Sequence, residues 1–257
     1  MFDVLIFGGT TEARLLVSAL LDHEIRCKVS VTSDYARSLM PDSPLLTVSV
    51  KRLDEGEIED MLLRCNPSLI VDATHLYATE VSKNIKRVCQ KLDREFLTLI
   101  REVGGVEGAT LFDSIDEMVD FLNENCTESD AIFSTLGIKE AKLFKEKLPS
   151  YRSNVYLRIL PSMESLRSAC ELGFPSKHII CMMGPFSKEM NVAFLHECRA
   201  KYLLTKITGK FGGLDSKIEA ARECGVEVLA IRAPKRENGL NLEEMKSLIE
   251  QRALEEL

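Results

Sequence analysis

"VLIFGGTTEARLL" (residues 4–16) contains the switch that sets the fold. An apolar run meets Gly8 and Gly9, then Thr10 and Thr11, and turns at once into a helical pattern. An uninterrupted apolar run fits a strand buried on both faces, and the change of period marks a strand–turn–helix unit. Laid on the Gly-x-Gly-x-x-Gly dinucleotide fingerprint, Gly8 takes the first glycine position, Thr10 stands at the second and Ala13 at the third. Ala13 is small enough for close helix–strand packing. Thr10 keeps a side chain where the backbone would come closest to a pyrophosphate, so the turn is a variant. Gly8, Gly9, Thr10 and Thr11 still offer amides and hydroxyls to phosphate at a helix N-terminus. A purely structural βα turn is the alternative. Glu12 suits the positive end of the helix, and Arg14 can reach a phosphate or solvent.

The rhythm of that stretch repeats. "RCKVSVT" precedes "YARSLM", "LLTVSV" precedes "DEGEIEDMLLRC", "SLIVDAT" precedes "ATEVSKNIKRVCQKLD", and "REFLTLIRE" closes the first half. At "REVGGVEGA" (101–109) the pattern breaks. It restarts with "AIFSTLG", "NVYLRIL", "HIICMMG", "AKYLLTK" and "VEVLAIRAP", with an amphipathic run after each of the first four. Apolar strands alternating with helices predict parallel sheets joined by right-handed crossovers. The expected fold is α/β, with two Rossmann-like parallel-sheet domains flanking a central cleft, because open sheets bind ligands beyond the carboxyl ends of their strands. The expected boundaries are 1–104 for a cofactor domain, 105–236 for a second α/β domain, and 237–257 for a closing helix with Asn241 as its N-cap. The halves echo each other: "EARLL" (12–16) resembles "EAKLF" (140–144), and "YATE" (77–80) resembles "FSKE" (186–189).

Composition narrows the partners. The chain has 257 residues, 45% hydrophobic and 28% charged, with a net charge of -7. That balance disfavours a nucleic-acid partner held by bulk electrostatics. The first apolar run ends at Gly8-Gly9 without a basic lead, and no stretch is long enough to span a membrane, so a cytoplasmic protein without signal peptide or membrane partner is expected, as monomer or homodimer. The eight cysteines include no Cys-x-x-Cys pair, which predicts reduced buried thiols and no metal site. So many thiols suit a strongly reducing or anaerobic cell.

Four further segments carry candidate chemistry. "VTSDYAR" ends the second strand, where a ribose is normally read. Asp34 there favours a free 2'-hydroxyl, whereas Thr32, Ser33 and Arg37 favour a 2'-phosphate, and the balance leans to NADP. "IVDATHLYATEVSKN" places Asp72, Thr74, His75 and Tyr77 at a strand end. Asp72 and Thr74 are candidate cofactor contacts, with Asp72 capping its own turn as the alternative. His75 is a candidate ligand or catalytic group. "MMGPFSKEMN" has a rigid Gly184-Pro185 turn, and Ser187 suits a helix cap. "LLTKITGKFGGLDSK" ends a strand at Thr205-Lys206. Its loop holds Gly209, Gly212, Gly213 and Lys210, and Lys217 follows in the next helix. Amides and lysines in that arrangement suit carboxylates or phosphates. The Gly-Lys order is wrong for a Walker loop.

Taken together, "GGTTEAR" (8–14), "DATHLYA" (72–78), "GPFSKEMN" (184–191) and "TKITGKFGGLDSKIEAA" (205–221) resemble the precorrin-6A reductase family of cobalamin biosynthesis, in order and over nearly the whole chain. The resemblance implies NADPH-dependent reduction of one double bond in the macrocycle of precorrin-6A or its cobalt form. The cysteine load leans towards the cobalt form. A polycarboxylate tetrapyrrole calls for Arg and Lys donors. The resemblance points to Arg101, Gly184, Pro185, Phe186, Lys206, Thr208, Gly209, Lys210, Gly212, Gly213 and Lys217. His75 and Tyr77 are the candidates for supplying a proton. The chain departs from the family pattern at Leu76 (usually Pro), Thr98 (usually Arg), Thr208 (often Ser) and Ala233, which separates Arg232 from Pro234. Two other readings remain open at this point: a two-domain transferase for an activated sugar or nucleotide, and a non-enzymatic NADP sensor.

Overall fold

Strand β1 (Asp3–Phe7) is buried over its last four residues. Val4 and Ile6 pack with Leu16, Val17 and Leu20 of helix α1 (Thr11–Asp22), while Leu5 and Phe7 pack on the opposite face with Ile58, Met61 and Leu62. Two-residue alternation between two apolar layers is why the four buried residues of this strand are all apolar. The computed structural model describes residues 3–100, 106–208, 212–234 and 239–255. The chain divides into two units, Met1–Glu102 with Pro234–Leu257, and Val103–Ala233.

The first unit continues with β2 (Arg26–Val31), α2 (Asp34–Ser38), β3 (Leu46–Val50), α3 (Glu55–Cys65), β4 (Leu69–Asp72), α4 (Thr79–Lys91) and β5 (Phe96–Leu99). Local signals start the helices. Thr10 and Ser33 cap α1 and α2, and Asp54 with Glu57 forms a reciprocal capping box on α3. The second unit begins with β6 (Ala109–Phe112) and α5 (Ile115–Asn125). It then runs β7 (Ala131–Ser134), α6 (Ile138–Lys147), α7 (Tyr151–Asn154), β8 (Val155–Ile159), α8 (Met163–Glu171), β9 (Ile179–Cys181), α9 (Lys188–Glu197), β10 (Ala200–Lys206), α10 (Leu214–Cys224) and β11 (Glu227–Ile231). The chain ends with β12 (Gly239–Leu240) and α11 (Leu242–Glu255), where Asn241 Oδ1 accepts from the N–H groups of Glu243 and Glu244 at 3.0 Å each.

Among the described residues each unit carries a six-stranded sheet, all of whose pairs are parallel. The orders are β12-β5-β4-β1-β2-β3 and β6-β11-β10-β7-β8-β9. Both follow one doubly wound pattern, reversing between β1 and β4 in the first sheet and between β7 and β10 in the second. The sixth positions are exchanged along the chain. β6 follows β5 in sequence but joins β11, and β12 follows β11 but joins β5. Helix α11 then packs on α1, with Met245 and Ile249 fully enclosed in the core of the first unit. The closing segment is therefore part of the first unit. The expected boundaries gave it no partner, and apolar periodicity did not single out β6, α5 or β12. Of the two sequence echoes, the first joins equivalent helices, α1 and α6. The second joins the segment after β4 to the one after β9, which occupy different places in their sheets.

All eight cysteines are free thiols, and burial pushes those of Cys27, Cys89 and Cys198 up to about 12, 11 and 11.

Candidate functional site

In the first unit the carboxyl ends of β1 and β4 are neighbours at the strand-order reversal. Gly8 has φ +144°, and a Cβ on it would overlap the Ala73 carbonyl, so the two strand-end segments meet backbone to backbone. A Cβ on Gly9 would lie 2.8 Å from Ala36 Cβ, which brings α2 onto the same turn. The Thr10 hydroxyl is spent inside the fold: it accepts from Ala13 N–H at 3.2 Å and donates to the Ala73 carbonyl at 3.2 Å. Arg14 bends back to donate to Thr11 Oγ1 at 3.0 Å. Glu12 is buried. Among the described residues nothing accepts from the backbone N–H groups of Gly9, Thr10 or Thr11. A side-chain-free cradle with three uncommitted amides at the start of a 12-residue helix fits a pyrophosphate.

Thr32, Ser33 and Arg37 are exposed at the end of β2. Ser33 Oγ caps α2 by accepting from Ala36 N–H at 3.2 Å. Among the described residues Arg37 forms no ion pair. With Asp34, Ser38, Met40, Pro41 and Asp42 it borders a depression of about 520 Å³.

Beyond β4, Asp72 is 2% exposed and accepts from Thr74 N–H at 3.0 Å and Thr74 Oγ1 at 2.6 Å. Thr74 Oγ1 also lies 3.1 Å from Ser82 Oγ. This carboxylate stiffens its own turn, the local role weighed for it in the sequence. His75 is exposed, its Nδ1 accepts from Tyr77 N–H at 3.4 Å, and the two rings lie 5.9 Å apart. Leu76 is buried. Thr98 is buried on β5 in register with Asp72. Arg101 lies outside the described residues.

In the second unit the residues gather at the carboxyl ends of β7, β8 and β10. Lys206 forms an ion pair with Glu140 of α6. Lys217, in the first turns of α10, donates to Thr205 Oγ1 at 3.2 Å. Burial first, and repulsion by Arg158 second, push its ammonium down to about 7. Arg158, near the end of β8, retains 8% exposure and donates to Asn191 Oδ1 at 3.1 Å. Its guanidinium lies 4.4 Å from the Phe186 ring centre, 5.4 Å from Phe133 and 5.6 Å from Phe194, and burial lowers it to about 10. The Gly184-Pro185 bond is cis, and Ser187 caps α9. A Cβ on Gly213 (φ +67°) would lie 3.2 Å from Pro185 Cβ, so the glycine loop rests on the proline turn. A Cβ on Gly212 would overlap the Thr208 side chain, whose Oγ1 is buried without a partner among the described residues. Gly209 and Lys210 lie outside the described residues.

Arg158 and Asn191 did not stand out in sequence. The signal was a single charged residue inside the apolar run "NVYLRIL". Among the described residues no cluster of three or more His, Cys, Asp or Glu is placed to hold a metal ion, and no helix is long and apolar enough to cross a membrane.

The sequence pattern described as Precorrin-6x reductase CbiJ/CobK matches residues 3–251. The cobalt-precorrin-6A reductase of Methanothermobacter thermautotrophicus is 28% identical, over 90% of this chain and 76% of its own. That of Priestia megaterium is 28% identical over 92% of both chains. The precorrin-6A reductase of Rhodococcus erythropolis is 26% identical, over 91% of this chain and 90% of its own. A solved structure titled CobK precorrin-6A reductase superposes with a TM-score of 0.75 at 21% identity, covering 98% of this chain and 97% of that one.

Proposed function

The chain belongs to the precorrin-6x reductase family, and from that premise we propose that it reduces cobalt-precorrin-6A with NADPH, the first unit binding the dinucleotide and the second the carboxylates of the ring. It is a reductase of cobalamin biosynthesis, and its family implies a nicotinamide cofactor. Membership sets aside the transferase and sensor readings. The observation that carries the cofactor assignment is the trio of uncommitted amides on Gly9, Thr10 and Thr11 beside the glycine cradle.

When bound, the cofactor supplies a hydride, and one ring double bond is saturated by that hydride and a proton. The chain's part is to hold and orient. The amides after β1 grip the pyrophosphate. Thr32, Ser33 and Arg37, which forms no ion pair among the described residues, suit a 2'-phosphate better than a bare ribose. His75 and Tyr77, beside each other past β4, are the candidates to hand over a proton, with Asp72 and Thr74 fixing the turn beneath them. In the second unit Lys206 is neutralised by Glu140, which leaves Lys217 and the 208–213 loop as the better anion donors. The cobalt form is favoured because both 28%-identical relatives cited above are cobalt-precorrin-6A reductases. A cytoplasmic setting suits a soluble substrate and cofactor.

The test follows reduced-nicotinamide absorbance with NADPH or NADH and with cobalt-precorrin-6A or precorrin-6A. NADPH and the cobalt substrate should give the highest kcat/KM. Arg37→Ala should raise the KM for NADPH about 10-fold while sparing that for NADH. Consumption with neither macrocycle would overturn the reading.

A further inference from the structure

We propose that Lys28 and Cys65 form a paired modification site, at which a peroxide joins the lysine nitrogen to the cysteine sulfur and fastens α3 to β2. Distance sets the pair apart. Lys28 Nζ donates to Cys65 Sγ at 2.9 Å. The other hydrogen bonds that thiols make among the described residues span 3.5 to 3.8 Å. Those lead to backbone carbonyls, a side-chain amide or an imidazole, and none to a primary amine. The fold holds the two atoms together from both sides. Lys28 is in register with Leu5 of β1, so its side chain leaves the sheet on the face where Leu5 packs with Ile58, Met61 and Leu62 of α3. Cys65 is the last residue of α3 and packs at the margin of that same layer. Among the described residues Lys28 forms no ion pair, so its nitrogen is not committed to a carboxylate.

Both residues are half-buried, open enough for a small oxidant and enclosed enough to stay together. Cys27, Cys89 and Cys198 are fully enclosed, and burial raises their thiols, which makes them slow to reduce a peroxide. Cys170 is exposed, but among the described residues its thiol makes no hydrogen bond. The step balances with hydrogen peroxide as the oxidant. Sulfur attacks one peroxide oxygen, the O–O bond breaks, and the thiol becomes a sulfenic acid while the other oxygen leaves as water. Lys28 gives its ammonium proton to water, and the freed amine attacks the sulfenyl sulfur. An N–S bond forms, the S–O bond breaks, and the departing hydroxide takes up the proton that the nitrogen sheds. In sum, a thiol, an amine and a peroxide give a sulfenamide and two waters. A small thiol reverses the link by attacking the same sulfur and releasing the amine. The lysine thereby keeps this sulfur from the irreversible sulfinic stage, in a chain whose eight cysteines suit reducing surroundings. None of this depends on the reductase reading.

The test is peptide mapping by mass spectrometry of the full folded chain, before and after about one equivalent of hydrogen peroxide. Oxidised wild type should yield a branched peptide joining the segments that carry Lys28 and Cys65. Its mass should fall short of the two segments' sum by two hydrogens, and dithiothreitol should release both. Lys28→Arg keeps the charge but offers no nucleophilic amine. It should abolish the branched peptide and raise labelling of Cys65 by dimedone, which traps sulfenic acids, about 10-fold. Cys65→Ser should abolish the branched peptide as well, and Cys170→Ser should leave it unchanged. If a variant fails to fold, the wild-type map alone decides. Cys65 recovered as a sulfinic acid beside an unmodified Lys28 would overturn the proposal. So would dimedone labelling of Cys65 that is equal in wild type and Lys28→Arg.

Discussion

Lys206 and Lys217 come from one glycine-rich motif, yet their electrostatic situations are opposite. Lys206 is paired with a carboxylate, whereas Lys217 is pushed from 10.5 down to about 7 by burial and by Arg158. Below pH 7 Lys217 is charged in both folded and unfolded chains, and the folded state bears the full cost of enclosing the ammonium. Between pH 7 and 10.5 the folded chain has released the proton that the unfolded chain still holds, so this group's destabilising contribution shrinks as pH rises. The ceiling is about 1.4 kcal/mol per pH unit. Denaturant midpoints measured at about pH 6 and about pH 9 should show wild type gaining on Lys217→Met; a constant gap would mean the lysine titrates normally. Gly8 is decisive for another reason. Its Cβ position is taken by the Ala73 carbonyl, so Gly8→Ala should cost about 2–4 kcal/mol and lower the thermal midpoint of the first unit. The need for glycine at positions 8 and 9 was legible, because a tight strand-to-helix turn leaves a recognisable pattern. Residue roles were hidden where burial decides. "NVYLRIL" reads as an apolar strand with one stray arginine, and only packing reveals the rings and the second cation around it.

Among elements, the strands at the centre of each sheet announced themselves. β1, β4, β7 and β10 each hold an unbroken apolar stretch because both faces are covered there, and that pattern survives without tertiary context. The sixth strands did not. β12 spans two residues, too short for a period to emerge, and β6 is an edge strand with an exposed member and only one buried residue. Helix α11 reads as an isolated amphipathic tail, but its inward face completes the layer over β1 and α1. Ile249→Ala should therefore cost about 2–5 kcal/mol, as expected for a fully enclosed aliphatic side chain, and the loss should appear in the thermal unfolding of the first unit. A change below about 0.5 kcal/mol would mean the helix is a passenger. Thr10→Val keeps the shape of the α1 cap but removes both of its hydrogen bonds. It should cost about 1 kcal/mol by the same measurement.

At the scale of the molecule, strand–helix alternation and the glycine-rich break near residue 105 were enough to read two doubly wound units. They could not reveal that the units trade their last strands, because pairing partners distant in sequence leave no local trace. That exchange has a consequence for how the chain is made. A polypeptide leaves the ribosome from its N-terminus, and domains ordinarily become complete in that order. Here β6 and α5 are synthesised before the other five strands of their sheet, so the second unit has every part it needs once β11 has emerged. The first unit, begun earliest, lacks its edge strand and the helix covering its core until residues 239–255 are released. Nascent chains stalled just after Pro234 is exposed should show protease resistance across 109–231 and cleavage within 1–102. Protection of the N-terminal stretch first would mean its sheet closes without its last strand. The unit begun first is thus finished last, and the glycine turn at its start waits, in translation, on a strand and a helix more than 220 residues further along.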